Sequence, residues 1–514
     1  MKNGFQRNKI NVLKAIVQFL FFTLIAKSIA FGRELVLSYY FGASEISDVY
    51  LLSVTLPVTV FGFISSGIVS GFIPIYQRVL NEKSRSEALL FCNRVINAVV
   101  LASVVFIVVY YMVSKHMLRI LAGGLTEGAL YQARCFTNIS IWAVPLIAVL
   151  TVLCSYLQIN GMIRETAVIS VPLNICIIIT IIVSFYIDYP IILPCGFLLS
   201  NVIQVVFVLL LCHRVDYGYK AICGFHDPYL RAFIYGMGML VVSSSISQIN
   251  ILVDRSLATW VVTGGLSIFE YANRIIDLIM GLTIIPISTV FFPAMTDAAN
   301  NVEELSYQIG NGVKTFCIVI IPLTAFVCIF SDPIINMIYL RGAFDGHTAV
   351  VTSSIVSYYA VGLLFFALRD LFTKAFYAMG DIKTPMLNSL ISFSINIILN
   401  FVLIRIMGLS GLAFATSISA CITTVLLYSP LRKRIRNIIY GGYRNGVKYL
   451  LKILLITTFC SMISLLMYRV LYKAGIKQVT SMMAVVFPFC LIYMISLDKM
   501  RILDIKSIIR KFHS

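Results

Sequence analysis

The sequence is poor in charge and poor in the residue types that carry out catalysis. Only 12% of its 514 residues are Asp, Glu, Lys or Arg, about half the charged fraction of an ordinary soluble domain. A chain this short of polar surface cannot be a soluble globule. Histidine is scarce as well: His116, His213, His226, His347 and His513 stand singly in connections or tails and read as solvated or packed side chains. The 12 cysteines are scattered, mostly within apolar segments, with no CxxC pair and no Cys/His metal spacing. They read as small core-filling side chains. No Walker loop, GxSxG or HExxH is present, so an ATP-driven pump and a hydrolase both lack their chemistry. The expectation is a protein that is not an enzyme and needs no cofactor.

What the chain has is apolar length. It is 60% hydrophobic, with a mean hydropathy of +0.94. A spanning helix needs about 20 mostly apolar residues. The pattern predicts an all-α integral membrane protein with spans near 11–40, 49–77, 88–113, 132–157, 165–186, 190–212, 228–256, 267–295, 313–330, 350–378, 384–405, 410–430, 447–468 and 479–497, about fourteen helices by that length criterion. No segment reads as a cleaved signal peptide, because the first apolar run is too long and many more follow. The net charge of +18 is placed mainly on alternate connections, as the positive-inside rule requires when both termini are cytoplasmic. That placement makes the charge topological and argues against a nucleic-acid partner. The densest cluster, Arg432, Lys433, Arg434 and Arg436 with Arg444 and Lys448, reads as an orientation signal or a contact with anionic membrane lipid. The loops near 115–134 and 469–477 are basic on the outer side and fit that parity least well.

An internal repeat organises the sequence. Arg33, Gly42 and Asp48 recur as Arg255, Gly264 and Glu270 at an offset of 222 residues. Phe72-Ile73-Pro74 resembles Phe291-Phe292-Pro293, and Gly161-Met162-Ile163-Arg164 resembles Gly380-Asp381-Ile382-Lys383. Six helices separate equivalent positions, so both copies have the same orientation, as in parallel-repeat transporters. The expected division is an N-terminal six-helix lobe over 1–225, a second over 226–440, and two extra helices with a cytoplasmic tail over 441–514.

Three arginines, Arg33, Arg255 and Arg274, lie inside predicted spans. A charge near the bilayer centre costs at least about 2.5–3.5 kcal/mol, so such residues face a bundle interior or a wet cavity. A transporter with a cationic cavity is the first expectation. Prolines at 57, 74, 145, 172, 286, 322 and 385 fall inside spans, where each either shapes packing as a static kink or bends a gate.

Phe31-Gly32-Arg33-Glu34, Tyr40-Phe41-Gly42-Ala43, Ser47-Asp48 and Leu56-Pro57 resemble the opening of the MurJ (MviN) family of lipid II flippases. Tyr271-Ala272-Asn273-Arg274-Ile275, Arg341-Gly342-Ala343-Phe344 and Gly380-Asp381-Ile382-Lys383-Thr384-Pro385 follow in the family's order. The resemblance implies membership of the wider multidrug/oligosaccharidyl-lipid/polysaccharide exporter superfamily in a bacterial cytoplasmic membrane, with two lobes around a cationic cavity. It implies an undecaprenyl-pyrophosphate-linked glycan as the partner, with Arg33 and Arg274 contacting its headgroup and Glu34 and Asp48 at family acids. A guanidinium matches phosphate oxygens with a planar fork of donors. A structural ion pair within the helix is the alternative for both arginines, and capping or pairing the alternative for Asp48. Lys27 stands where the family has arginine. Phe61, Gly62 and Ser66 replace an arginine pair and a glutamate on helix 2, and Asn273 replaces an aspartate. These departures leave open a flippase for an exopolysaccharide or O-antigen precursor instead of lipid II. A cation-coupled drug exporter and a non-transporting scaffold are weaker alternatives. The resemblance also implies a coupling sodium ion held by Asp254, Asn396, Asn400 and Thr416. Hard oxygen ligands suit a small cation, though hydrogen bonding among buried polar side chains explains the same residues.

Overall fold

The computed structural model describes residues 2–222, 224, 226–435, 443–500 and 502; the side chains of 2–21, 443–447 and 163, and of parts of 60–70 and 238–247, lie outside the description. The described residues form helices and no strand. In chain order they are α1 (Lys2–Phe41), α2 (Glu45–Glu82), α3 (Arg85–Leu121), α4 (Glu127–Ser140), α5 (Ala143–Ile159), α6 (Ile163–Val168), α7 (Ser170–Ile187), α8 (Ile192–His213) and α9 (Pro228–Thr259). They continue as α10 (Gly265–Leu282), α11 (Ile284–Asp297), α12 (Val302–Ile338), α13 (Gly346–Ala378), α14 (Lys383–Met407), α15 (Leu409–Arg434), α16 (Tyr443–Lys473) and α17 (Gln478–Lys499).

Starts and breaks have local causes. Ser84 accepts from the Glu87 amide, Asn301 from Glu303 and Glu304, and Asp227 from Tyr229 and Leu230 ahead of Pro228. Each side chain satisfies first-turn donors that the helix itself leaves unpaired. Pro145, Pro172, Pro286 and Pro385 each sit three residues past the residue that begins a helix, namely Trp142, Ile169, Thr283 and Ile382. A proline lacks the amide proton and its ring crowds the carbonyl four residues back, so it is tolerated in a first turn and breaks the helix upstream of it. Phe330, three residues before Pro333, leaves helical geometry inside α12 for the same reason. Pro57, Pro74 and Pro322 instead lie within α2 and α12, with no break assigned at them.

Ten helices among the described residues are long and apolar enough to cross a membrane, or eleven when α4 and α5, bent by 40° at their junction, are taken as one span. The membrane class is established, while the expected count of fourteen is not confirmed: α1, α2 and α9 stand outside that set. Several expected spans are divided helices, since 132–157 contains the α4–α5 break, 165–186 the α6–α7 break and 267–295 the α10–α11 break.

The chain forms two compact units. The first is Met1–Ser267 with Gly342–Phe344. In it α2 packs on α9, α4, α5 and α3, and α1 packs on α7. Phe91 of α3 stacks on Phe72 of α2 at 5.8 Å and meets Phe233 of α9 edge-on at 6.3 Å, which fixes three helices around one aromatic cluster. The second unit is Ile268–Arg341 with Asp345–Ser514. There α13 packs against α12 and α15. Buried hydroxyls tie these helices together: Ser417 donates to the Tyr358 carbonyl at 2.8 Å and Thr424 to that of Phe365 at 3.0 Å, as expected where a hydroxyl in a membrane helix needs a partner. The last pair, α16 and α17, packs on α12, with Phe489 against Phe326 at 5.5 Å and the Tyr493 hydroxyl donating to the Ile318 carbonyl at 2.9 Å.

Candidate functional site

In the first unit three connections meet: the α1–α2 turn, the α9–α10 turn and the segment 342–344. Gly42 and Gly264 both take left-handed backbone, with φ of +56° and +79°. A methyl group on Gly42 would stand 2.4 Å from the Ala343 carbonyl oxygen, and one on Gly264 would stand 2.4 Å from that of Ala43. Only glycine permits both the conformation and the approach. The Ala343 amide donates to the Tyr39 carbonyl at 2.8 Å. Asp48 closes the cluster. Fully buried, it accepts the amide of Ser267, in the first turn of α10, on Oδ1 at 2.7 Å, while Oδ2 has no hydrogen-bond partner. Asp48 therefore caps another helix's positive end. This is the capping alternative that the sequence left open.

On α1, Arg33 is partly buried and its Nη2 donates to the adjacent, buried Glu34 at 2.5 Å. Lys27, further up the helix, is exposed. On α9, Arg255 donates to Thr55 Oγ1 of α2 at 2.8 Å, so this arginine fastens two helices of the first unit. Asp254 beside it is buried. A side chain added at Gly62 of α2 would meet the Gln248 amide of α9 at 2.9 Å. The amide end of Gln248, a flexible side chain, thus lies opposite position 62. The side chains of Phe61 and Ser66 lie outside the described residues.

In the second unit Arg274 on α10 is a third exposed and lies 3.5 Å from Glu270 and 3.6 Å from Asp277, one turn away on either side. Asn273 is partly buried next to it. Asn396 and Asn400, one turn apart on α14, form a chain: Asn400 Nδ2 donates to Asn396 Oδ1 at 3.1 Å and Asn396 Nδ2 to Thr416 Oγ1 at 3.3 Å. Thr416 in turn donates to the Leu412 carbonyl at 3.0 Å. These three of the four expected cation ligands are brought together on α14 and α15, and they are hydrogen-bonded to one another; Asp254 belongs to the first unit.

One constellation was missed in the sequence. Lys374 and Asp370, one turn apart on α13, pair at 3.0 Å, and Lys374 Nζ also donates to Ser288 Oγ of α11 at 2.6 Å. Ser288, fully buried, donates its own proton to Asp370. The sequence signal was a charged i, i+4 pair inside an apolar span.

Comparison with known proteins then gives a consistent result. The family model described as lipid II flippase MurJ matches residues 37–496, which includes Arg274 and Asp48 and begins just after Arg33. A probable lipid II flippase MurJ of Rickettsia prowazekii is 28% identical over 452 residues, 86% of this chain and 88% of that protein. The lipid II flippase MurJ of Burkholderia cenocepacia is 22% identical over 436 residues, 83% of this chain and 84% of that protein. Among solved structures, the inward closed conformation of lipid II flippase MurJ aligns with a TM-score of 0.80 at 24% identity, covering 94% of this chain and 98% of that one. An inward-facing multidrug resistance MATE family transporter of the MOP superfamily aligns at 0.68 with 15% identity, covering 80% of this chain and 94% of that one. These structural likenesses establish the fold.

Proposed function

This chain belongs to the lipid II flippase MurJ family, and from that premise we propose that it moves lipid II, the undecaprenyl-pyrophosphate-linked cell-wall precursor, across the bacterial cytoplasmic membrane by alternating access. The observation that carries the reading is Arg274, a partly exposed arginine held inside a membrane helix by two acids and lying within the family match. A guanidinium placed this way can exchange a carboxylate for a phosphate oxygen without being left unpaired. Arg33, held by Glu34, is the second proposed pyrophosphate contact. The prenyl tail stays in lipid while the headgroup crosses. Both termini are proposed to face the cytoplasm, in agreement with the placement of basic residues.

A second reading, a flippase for a different undecaprenyl-pyrophosphate-linked oligosaccharide, is favoured by one observation: α2 carries no charge at Gly62, where a side chain would strike Gln248. Rescue of cells depleted of their lipid II flippase tests the first reading. Growth on expression of this chain supports it. Failure to rescue, combined with binding of an undecaprenyl-pyrophosphate-linked neutral sugar in preference to lipid II, moves the assignment to the second.

A further inference from the structure

We propose that Asp370 and Ser288 form a monovalent-cation site in the second unit, which the chain fills with its own ammonium, that of Lys374. The three groups close a ring: Lys374 Nζ lies 3.0 Å from Asp370 Oδ2 and 2.6 Å from Ser288 Oγ, and the Ser288 hydroxyl donates back to Asp370. Carboxylate and hydroxyl oxygens are the hard ligands that alkali cations choose. An ammonium carries the same single charge and uses its N–H groups to meet those oxygens.

Context separates this cluster from an ordinary surface ion pair. Lys374 and Asp370 lie four and eight residues from the end of α13, a helix long and apolar enough to cross a membrane. In such a helix an ionisable pair needs partners that meet its charge. The side chain of Asp370 is 39% exposed and that of Lys374 24%, so the site opens onto the protein surface. Pairing alone needs only α13. Ser288 comes from a second helix, α11, so two helices of the second unit contribute to the ring. Nor does the fold demand charge here. At the offset of 219 residues that relates Gly161 to Gly380, Asp370 and Lys374 correspond to Thr151 and Ser155 on α5. Those hydroxyls simply donate to the Ile147 and Thr151 carbonyls of their own helix, at 3.0 and 2.9 Å. The first half thus packs without ions where the second half maintains a cation and its oxygens.

The proposal is independent of the transported substrate and is tested on the purified full chain. Thermal unfolding of the wild type, K374A and K374A/D370N is compared in chloride salts of sodium, potassium, methylammonium and N-methyl-D-glucamine at constant ionic strength. In the bulky N-methyl-D-glucamine, K374A is expected to melt below the wild type. A small cation entering the vacated site should restore about 2–4 °C of that loss in a saturable way. K374A/D370N should show no such restoration, and because it retains every other oxygen site, the difference between the two variants reports this site alone. Equal responses of both variants to every cation overturn the proposal. If K374A cannot be recovered in N-methyl-D-glucamine, it is extracted and purified in methylammonium from the outset; recovery there supports the site, and equally poor recovery in both salts overturns it.

Discussion

In the first half of the chain α2 runs unbroken from Glu45 to Glu82, whereas its counterpart in the second half, the Gly265–Asp297 span, is interrupted at Thr283 between α10 and α11. The fourth and fifth helices show the reverse. They are divided in the first half, at Ile141–Trp142 and at Ile169, and continuous in the second as α13 and α14. Other features match more closely: α3 and α12 are each 37 residues long, although α12 alone is kinked, at Phe330, and Gly161 and Gly380 share left-handed backbone at φ +82° and +74°. The difference follows from prolines. At the 219-residue offset Pro286 replaces Gly67, while Pro145 and Pro172 are replaced by Leu364 and Ile391. Repeat-related positions thus share turn conformations, while single prolines place the helix breaks in different helices. The halves also differ in charge, the second holding Arg274 with its acids and the Asp370–Lys374 pair. The two halves therefore differ in where their helices break and in where they carry charge.

The largest expected effect falls on the charged half. Arg274→Ala should abolish rescue of flippase-depleted cells while leaving membrane insertion intact, because losing one partner of a buried charged contact costs about 2–5 kcal/mol, roughly thirty- to several-thousandfold in binding. Retained rescue would remove Arg274 from the site. Next come the two repeat-related arginines, which the structure puts to different uses. Arg33→Ala should impair transport with little change in melting temperature, since its salt bridge is to Glu34, the next residue on the same helix. Arg255→Ala breaks the bond to Thr55 of α2 and should lower stability by about 1.5–3 kcal/mol with some transport retained. Identical phenotypes would mean that the halves use these arginines alike. A smaller contrast concerns the glycines. Gly42→Ala and Gly264→Ala combine left-handed strain with a 2.4 Å approach to a carbonyl oxygen and should each cost about 2–4 kcal/mol. Gly161→Ala and Gly380→Ala meet open space and should cost only the strain, about 1–2 kcal/mol. Thermal unfolding of the four variants measures the difference.

Much of this was legible in the sequence because membrane helices are written in long apolar runs and turns in glycine and capping residues. Gly42, Gly264, Gly161 and Gly380 were recognisable as repeat markers, and each has the backbone that only glycine adopts easily. Asp345 and Asp381 stand at helix starts where their types predict capping. Arg33 and Arg274 were conspicuous as charges in apolar surroundings. What could not be read was pairing across helices. Nothing in the order of residues says that Asp48 caps α10 through the Ser267 amide, that Gly62 is opposed by Gln248, or that Ser288 completes the Asp370–Lys374 pair, because each depends on packing between helices distant in the chain. Nor does an apolar run reveal that α9, which follows the repeat boundary, packs within the first unit on α2 and α3. Proline positions were visible, but those that divide a helix were not distinguishable from those at Pro57 or Pro74, where the helix continues.

The smallest expected effect lies at the connection between α13 and α14, where Asp381 stands opposite Met162 of the first half. Asp381 accepts the Thr384 amide at 3.0 Å and hydroxyl at 2.8 Å, and pairs with Arg434 at 2.8 Å. Met162 offers α6 no side-chain cap. Hydrogen bonds from Thr384, aided by Arg434, hold the Asp381 carboxyl below its usual range. A carboxyl with a depressed folded pKa adds stability that is fully present above the unfolded value and disappears as pH falls through the folded one. The wild type should therefore melt above Asp381→Asn at neutral pH, and the gap should close as acid is added below the ordinary carboxylate range. Half-exposed Arg434 is screened by salt, so raising ionic strength should narrow the gap at neutral pH as well, while the part supplied by the Thr384 bonds persists. Met162→Asp would sharpen the comparison from the other side, since an acid there gains the first-turn amides but meets no Arg434 equivalent in its repeat position. If that variant gains as much stability as Asp381→Asn loses, capping alone accounts for the difference between the two halves at this turn and the ion pair contributes nothing.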